Sequence, residues 1–182
     1  MKRLFVSGLF LLFLAGCGPS HMVVKEHCPD VRGIKPPTGK AALVIGRTTI
    51  FGGGINFENY LNKRFIGTTK GHSFFVTLVD PGDHYVTAHG ENYAGMLVRF
   101  ESDKTYYLQN EVRLGAFIAR AKLNFTDAQR LYDDMDGKCY FYAKDPSDNV
   151  DDLTDQEFEW AKEDWGKDTP INVAPKETII GK

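Results

Sequence analysis

Three cysteines and five histidines are the residues of this chain best suited to metal, redox or acyl chemistry. Their spacing narrows the choice. Neither Cys-x-x-Cys nor His-x-x-x-His occurs. His84 and His89 are five residues apart, which puts them on opposite faces of a strand. His72 can join either of them, and the spacing predicts no metal site. The stretch Gly33-Ile34-Lys35-Pro36-Pro37-Thr38-Gly39-Lys40-Ala41 comes near a phosphate-binding loop. It fails on one residue too many between the glycines, on prolines without the N–H groups that cradle phosphate, and on Ala41 where a hydroxyl should meet Mg²⁺. Gly67 to Ser73 fails too, because Lys70 precedes its glycine and a strand follows. No serine sits in a nucleophile elbow, and Asp80 and Asp83 read as turn residues. The expectation is a chain that is not an enzyme and holds no cofactor.

Cys17 is different. Lys2 and Arg3 precede an apolar stretch, Leu4 to Ala15, too short to span a bilayer and of the length of a secretory signal core. It ends in Leu14-Ala15-Gly16-Cys17, which resembles the lipobox of bacterial lipoproteins. That resemblance implies cleavage before Cys17 and acylation of its thiol and new amino group, with palmitate among the chains. Several acyl chains on one residue give stable attachment, where a single chain is marginal. Gly18 stands where the inner-membrane retention signal has aspartate, so the resemblance implies the periplasmic face of the outer membrane. An ordinary signal peptide with a chance cysteine is the alternative.

With Cys17 acylated, Cys28 and Cys139 remain as an even pair in an oxidising compartment, the candidate disulfide. The competing reading is a buried free thiol at Cys139 and an exposed one at Cys28.

The 182 residues, 42% hydrophobic and 13% aromatic, suffice for one domain with extensions and exclude wholesale disorder. A formal charge of −2 argues against a nucleic-acid binder. Charge is unevenly spread: residues 17–144 carry a net +3 and residues 145–168 a net −8. The division expected is a signal peptide at 1–16, a polar Pro- and Gly-punctuated tether at 17–37, a folded body at 38–144, and an acidic extension at 145–182.

The body reads as strand, turn, strand. Ala42 to Ile50 is β-branched and breaks at Phe51-Gly52-Gly53-Gly54. Asn56 to Leu61 and Arg64 to Ile66 flank Asn62-Lys63, a two-residue turn with Asn62 left-handed. His72 to Val79 is apolar on both faces, as in a central strand. After Asp80-Pro81-Gly82-Asp83, His84, Val86 and Ala88 alternate with Tyr85 and Thr87, and Met96, Val98 and Phe100 alternate with Leu97, Arg99 and Glu101. Tyr106, Leu108 and Val112 then alternate with Tyr107, Gln109, Glu111 and Arg113, which places Tyr107 on a wet face. The fold class expected is mainly β, an antiparallel sandwich of about seven to eight strands without parallel βαβ units. A short helix follows, with Thr126 and Gln129 as a capping box and Ala128, Leu131, Tyr132 and Met135 as its stripe. Cys139 to Tyr142 reads as a last strand. In the acidic extension Thr154 and Glu157 form a second capping box, with Leu153 and Phe158 at staple positions and Phe158, Ala161 and Trp165 on one face. Beyond Pro170 the chain reads as a loose terminus.

Ala42-Leu43-Val44-Ile45, Phe65-Ile66-Gly67, Pro81-Gly82-Asp83-His84, Lys104-Thr105-Tyr106-Tyr107, Gly115-Ala116-Phe117 and Arg120 to Leu123 give the body a family likeness. Over residues 38–143 it resembles bacterial lipoproteins that share a domain of unknown function (DUF twenty-eight forty-six). The Pro-Gly-x-His turn with its alternating strand is also similar to PEGA-type sandwiches of envelope proteins. The resemblance implies a fold and a location but no activity.

Two functions are then expected to compete. The first is a lipid-anchored, non-enzymatic binding or scaffolding module, with Tyr107, Phe158, Trp160 and Trp165 as candidates to contact an envelope protein partner. The second is an enzyme or small-ligand carrier with a cryptic pocket near Arg113 to Arg120, where glycine breaks the strand pattern. A filled sandwich interior favours the first.

Overall fold

A computed structural model describes residues 22–25, 29–49, 55–114, 119–135, 140–144, 151–164 and 179–180. The strands are β1 (Met22–Lys25), β2 (Ala41–Arg47), β3 (Phe57–Leu61), β4 (Arg64–Thr69), β5 (Ser73–Val79), β6 (Gly82–His89), β7 (Tyr93–Phe100), β8 (Thr105–Leu114), β9 (Ala119–Phe125), β10 (Tyr140–Lys144) and β11 (Ile179–Ile180). Helix α1 spans Ala128–Asp134, helix α2 spans Asp155–Asp164, and a single 3-10 turn covers Val31–Gly33.

The strands build two sheets. One runs β1-β10-β5-β2-β8, with β11 and β9 both pairing along β8; the other runs β4-β3-β6-β7. The mainly β, sandwich-like fold expected from the alternation is present. Between the sheets lies an apolar core of Leu43, Ile45, Phe75, Val86, Val98, Phe100, Tyr106 and Leu108, among others. The turn chemistry holds as well, since Asn62 sits at φ 57, in the left-handed region that asparagine tolerates.

Five expectations need correction. The larger sheet is mixed: β2 runs parallel to β8, Ala42 beside Thr105 through Gly46 beside Gln109, and β10 runs parallel to β5. The crossover from β2 to β8 passes through the other sheet instead of a helix, so no βαβ pattern marks it. The segment read as a tether is in part fold. Met22–Lys25 pairs antiparallel with β10, and Val31 is buried under α1. The terminus read as loose supplies Ile179 and Ile180, which pair with Tyr106 and Thr105. The cap of α1 is Asp127, accepting from the Arg130 N–H at 2.7 Å, and not Thr126.

The fifth concerns Tyr107. Its face of the larger sheet is not wet at that position, because Val31 and α1 cover it in a second core with Val44, Phe74, Ala128, Leu131 and Met135. Tyr107 is fully buried, and its hydroxyl donates to the Val31 carbonyl at 3.0 Å. Period-two alternation tells which residues share a face but not what later packs on that face. Helix α1 approaches β2 closely at Gly46, where a Cβ would stand 2.6 Å from Leu131 Cδ1.

The acidic extension folds back as a third packed layer. Thr154 and Glu157 form the expected capping box: Thr154 N–H donates to Glu157 Oε2 at 2.8 Å and Glu157 N–H to Thr154 Oγ1 at 3.2 Å. Leu153, with Phe158 beside it, packs on Tyr60 and Phe65 on the outer face of the smaller sheet.

Candidate functional site

The extension is clasped to the β3–β4 hairpin by groups on both sides of the apolar contact. Leu153 N–H donates to the Lys63 carbonyl at 2.8 Å, and Phe65 N–H donates to Asp152 Oδ1 at 2.9 Å. Lys63 Nζ lies 2.5 Å from Asp155 Oδ1 and holds that carboxyl below the ordinary aspartate range. The Thr154 hydroxyl and N–H do the same for Glu157. The net negative tail therefore meets a cation on its own body at Lys63.

This docking sorts the aromatic candidates. Phe158 is turned inward, edge-to-face with Tyr85 at 5.5 Å between ring centroids. Ala161 is fully buried. Trp160 lies on the opposite side of α2 and remains 50% exposed, half of a large aromatic surface left open to solvent. Tyr107, buried as described, is unavailable to a partner. Trp165 lies outside the described residues, as do Cys17, Cys28 and Cys139.

Beside α2 is a small polar cluster. Tyr60 donates to Glu58 Oε2 at 2.8 Å, His89 Nδ1 is 3.5 Å from the same oxygen, and the His89 ring stacks on Tyr93 at 4.3 Å. Burial pushes the Tyr60 hydroxyl above the ordinary phenol range, so it acts as a donor and not as a base. His84 is placed elsewhere, hydrogen-bonded to Asn62 at 3.1 Å and edge-on to Phe100. The two histidines face different neighbours, as their spacing requires. Among the described residues no group of three His, Cys, Asp or Glu side chains could hold a metal ion.

At one end the core between the sheets turns polar, which the sequence reading missed. Asn110 Nδ2 donates to Asn59 Oδ1 at 2.8 Å and to Thr69 Oγ1 at 2.9 Å, while Asn59 Nδ2 donates to the carbonyls of Phe57 and Gly67. Arg47 is fully buried alongside; its guanidinium donates to the Ile55 carbonyl and lies over the Phe57 ring. Burial lowers its pKa to about 10. The signal was available: Asn110 continues the inward row Tyr106, Leu108, and Arg47 continues the row Leu43, Ile45. These groups hydrogen-bond to one another between the sheets and are closed to solvent, while Asn110 Oδ1 accepts no hydrogen bond among the described residues.

Arg113 and Arg120 bound the segment where the sequence reading puts a cryptic pocket. They are exposed and stand directly opposite each other near the end of the β8–β9 hairpin. Residues 115–118 between the two strands lie outside the described residues.

No family model matches the chain. It is similar to an uncharacterized protein of Haemophilus influenzae, 24% identical over 128 residues that cover 68% of this chain and 76% of that protein.

Proposed function

We propose that the chain is a lipid-anchored lipoprotein of the bacterial envelope that acts as a non-enzymatic binding or scaffolding module. Acylation at Cys17 ties it to the periplasmic face of the outer membrane, and its work is to hold a partner by surface contact. The observation that carries this reading is the interior between the sheets, filled by side chains from both and closed at its polar end by mutual hydrogen bonds. A sandwich filled in this way offers surfaces instead of a cavity. Trp160 supports it further, because an exposed tryptophan on a docked helix brings large contact area at small entropy cost.

The test has two arms. Cys17→Ser should leave unprocessed precursor or release the protein from the membrane fraction, with loss of acyl mass. A photo-crosslinking amino acid at position 160 should trap an envelope component in intact cells, while one at the buried position 161 should not. Unchanged fractionation and mass of Cys17→Ser, or equal trapping at both positions, would overturn the reading.

A further inference from the structure

The larger sheet gives the molecule two distinguishable ends. One rung crosses it through Lys25, Phe141, Phe74, Gly46, Gln109 and Asn124. Strands β1, β2 and β8 run in the same direction through it. Met22 lies three residues before the rung and Arg113 four residues beyond it, so about 23 Å of strand length separates them. Pairing of β2 with β8 ends at Gln109, so the β8–β9 hairpin overhangs its neighbour and carries the arginines past it.

Arg113 is directly opposite Arg120, and both are exposed. Like charges in register across a ladder destabilise a sheet. The next outward-facing pair is Glu111 opposite Lys122, so the one acid on that face already has a cation across from it. Among the described residues no carboxylate forms an ion pair with either arginine. Two guanidiniums are thus held side by side at a cost that nothing in the described fold repays.

We propose that Arg113 and Arg120 form a binding site for a carboxylate-bearing polymer of the cell wall, on the side of the molecule away from the bilayer. The inference rests on the lipid-anchored reading above. Met22 is five residue steps from Cys17, a reach of at most about 17 Å, so the anchor holds the Met22 end near the membrane. The arginines are at the other end. The guanidinium fork matches a carboxylate bidentately, and two forks one strand spacing apart suit neighbouring carboxylates on one chain. Magnitude decides for a polymer over a small anion. A solvent-exposed ion pair strengthens binding by no more than about fivefold, so two of them hold a free anion too weakly to matter. A ligand that repeats its charges, met by many anchored copies, multiplies weak contacts into retention.

The test uses the chain from residue 18 onward, which keeps every described residue and carries no lipid, coupled through its N-terminus to a soluble dextran carrier so that many copies meet one polymer together. The carrier is pelleted with purified cell-wall sacculi and, separately, with vesicles of phosphatidylglycerol and phosphatidylethanolamine. Retention on sacculi is expected, reduced about fivefold by Arg113→Gln or by Arg120→Gln and suppressed by salt. Arg113→Glu separates binding from folding, because it faces Arg120 with an opposite charge. It should raise the unfolding temperature while abolishing retention. Undiminished retention of Arg113→Glu, or no retention of the unaltered chain, overturns the proposal. Retention on the anionic vesicles alone overturns it in favour of a membrane contact. Because the protein tested is unacylated, none of these results depends on the chemistry at Cys17.

Discussion

Leu153→Ala tests whether the acidic extension is a separable layer. The side chain is 7% exposed and packs on Tyr60 and Phe65. Truncating a leucine so buried costs about 2–5 kcal/mol when the surroundings cannot release it. Here they can. Among the described residues, none of 151–164 belongs to the core between the sheets or to the core under α1, so that segment can undock while both stay packed. The cost of Leu153→Ala is then capped by the free energy of docking, which is a local and not a global quantity. A chain ending at Lys144 sets that cap from above, since it lacks α2 and also the two rungs that β11 adds to β8. Thermal unfolding by circular dichroism should show one cooperative transition for the shortened chain. Leu153→Ala should lower the midpoint by no more than the truncation does, and by less than about 20 °C, the bound set by about 5 kcal/mol at about 2–4 °C per kcal/mol. Proteolysis between α2 and the sandwich should accelerate in the point variant well below its unfolding temperature. An unfolded shortened chain, or a point variant that melts below it, would refute the reasoning and make the extension part of the core.

Tyr107→Phe removes the donor to the Val31 carbonyl and should cost about 1–3 kcal/mol of unfolding free energy in denaturant titration; no change would mean that carbonyl finds water. Gly46→Val should lower the melting midpoint more than Gly33→Val, because Gly46 faces Leu131 at contact distance whereas nothing stands within 4 Å of a Cβ at Gly33. Docking of α2 should be independent of pH from neutrality to about pH 5 and weaken below about pH 4. Asp155 and Glu157 have folded pKa values below their unfolded ones, so their contribution is complete above the unfolded values and is lost as pH falls through the folded ones. Cleavage by pepsin within residues 151–164 should rise across that window, and equal cleavage at pH 3 and pH 5 would dismiss the ionic clasp. Cys28 and Cys139 should be disulfide-bonded. β1 ends three residues before Cys28 and β10, its antiparallel partner, begins one residue after Cys139, and the closed loop of about 111 residues suggests up to about 4–5 kcal/mol. Two alkylatable thiols in the unreduced, denatured protein would exclude the bridge.

Local rules were legible wherever the cause is local. The Asn62 turn, the Thr154–Glu157 capping box and the inward rows of β6, β7 and β8 each follow from a few neighbouring residues and a fixed period. The proposed N-terminal lipobox likewise rests on adjacent residues alone and is tested by Cys17→Ser and not by the fold. What the sequence could not hold is which surfaces meet. Tyr107 alternates with core residues as any solvent-facing tyrosine would, and Val31, 76 residues earlier, together with helix α1 decides that it is buried. β2 and β8 are parallel because the chain visits the second sheet between them, a long-range choice with no periodicity of its own. Trp160 and Phe158 sit two residues apart on one short helix, and the β3–β4 hairpin beneath determines which is hidden. Arg113 and Arg120 are six residues of turn and strand apart in sequence, and pairing alone makes them neighbours. Each of these depends on contacts between distant segments, whose free energy comes from burial that exists only once the sheets have formed.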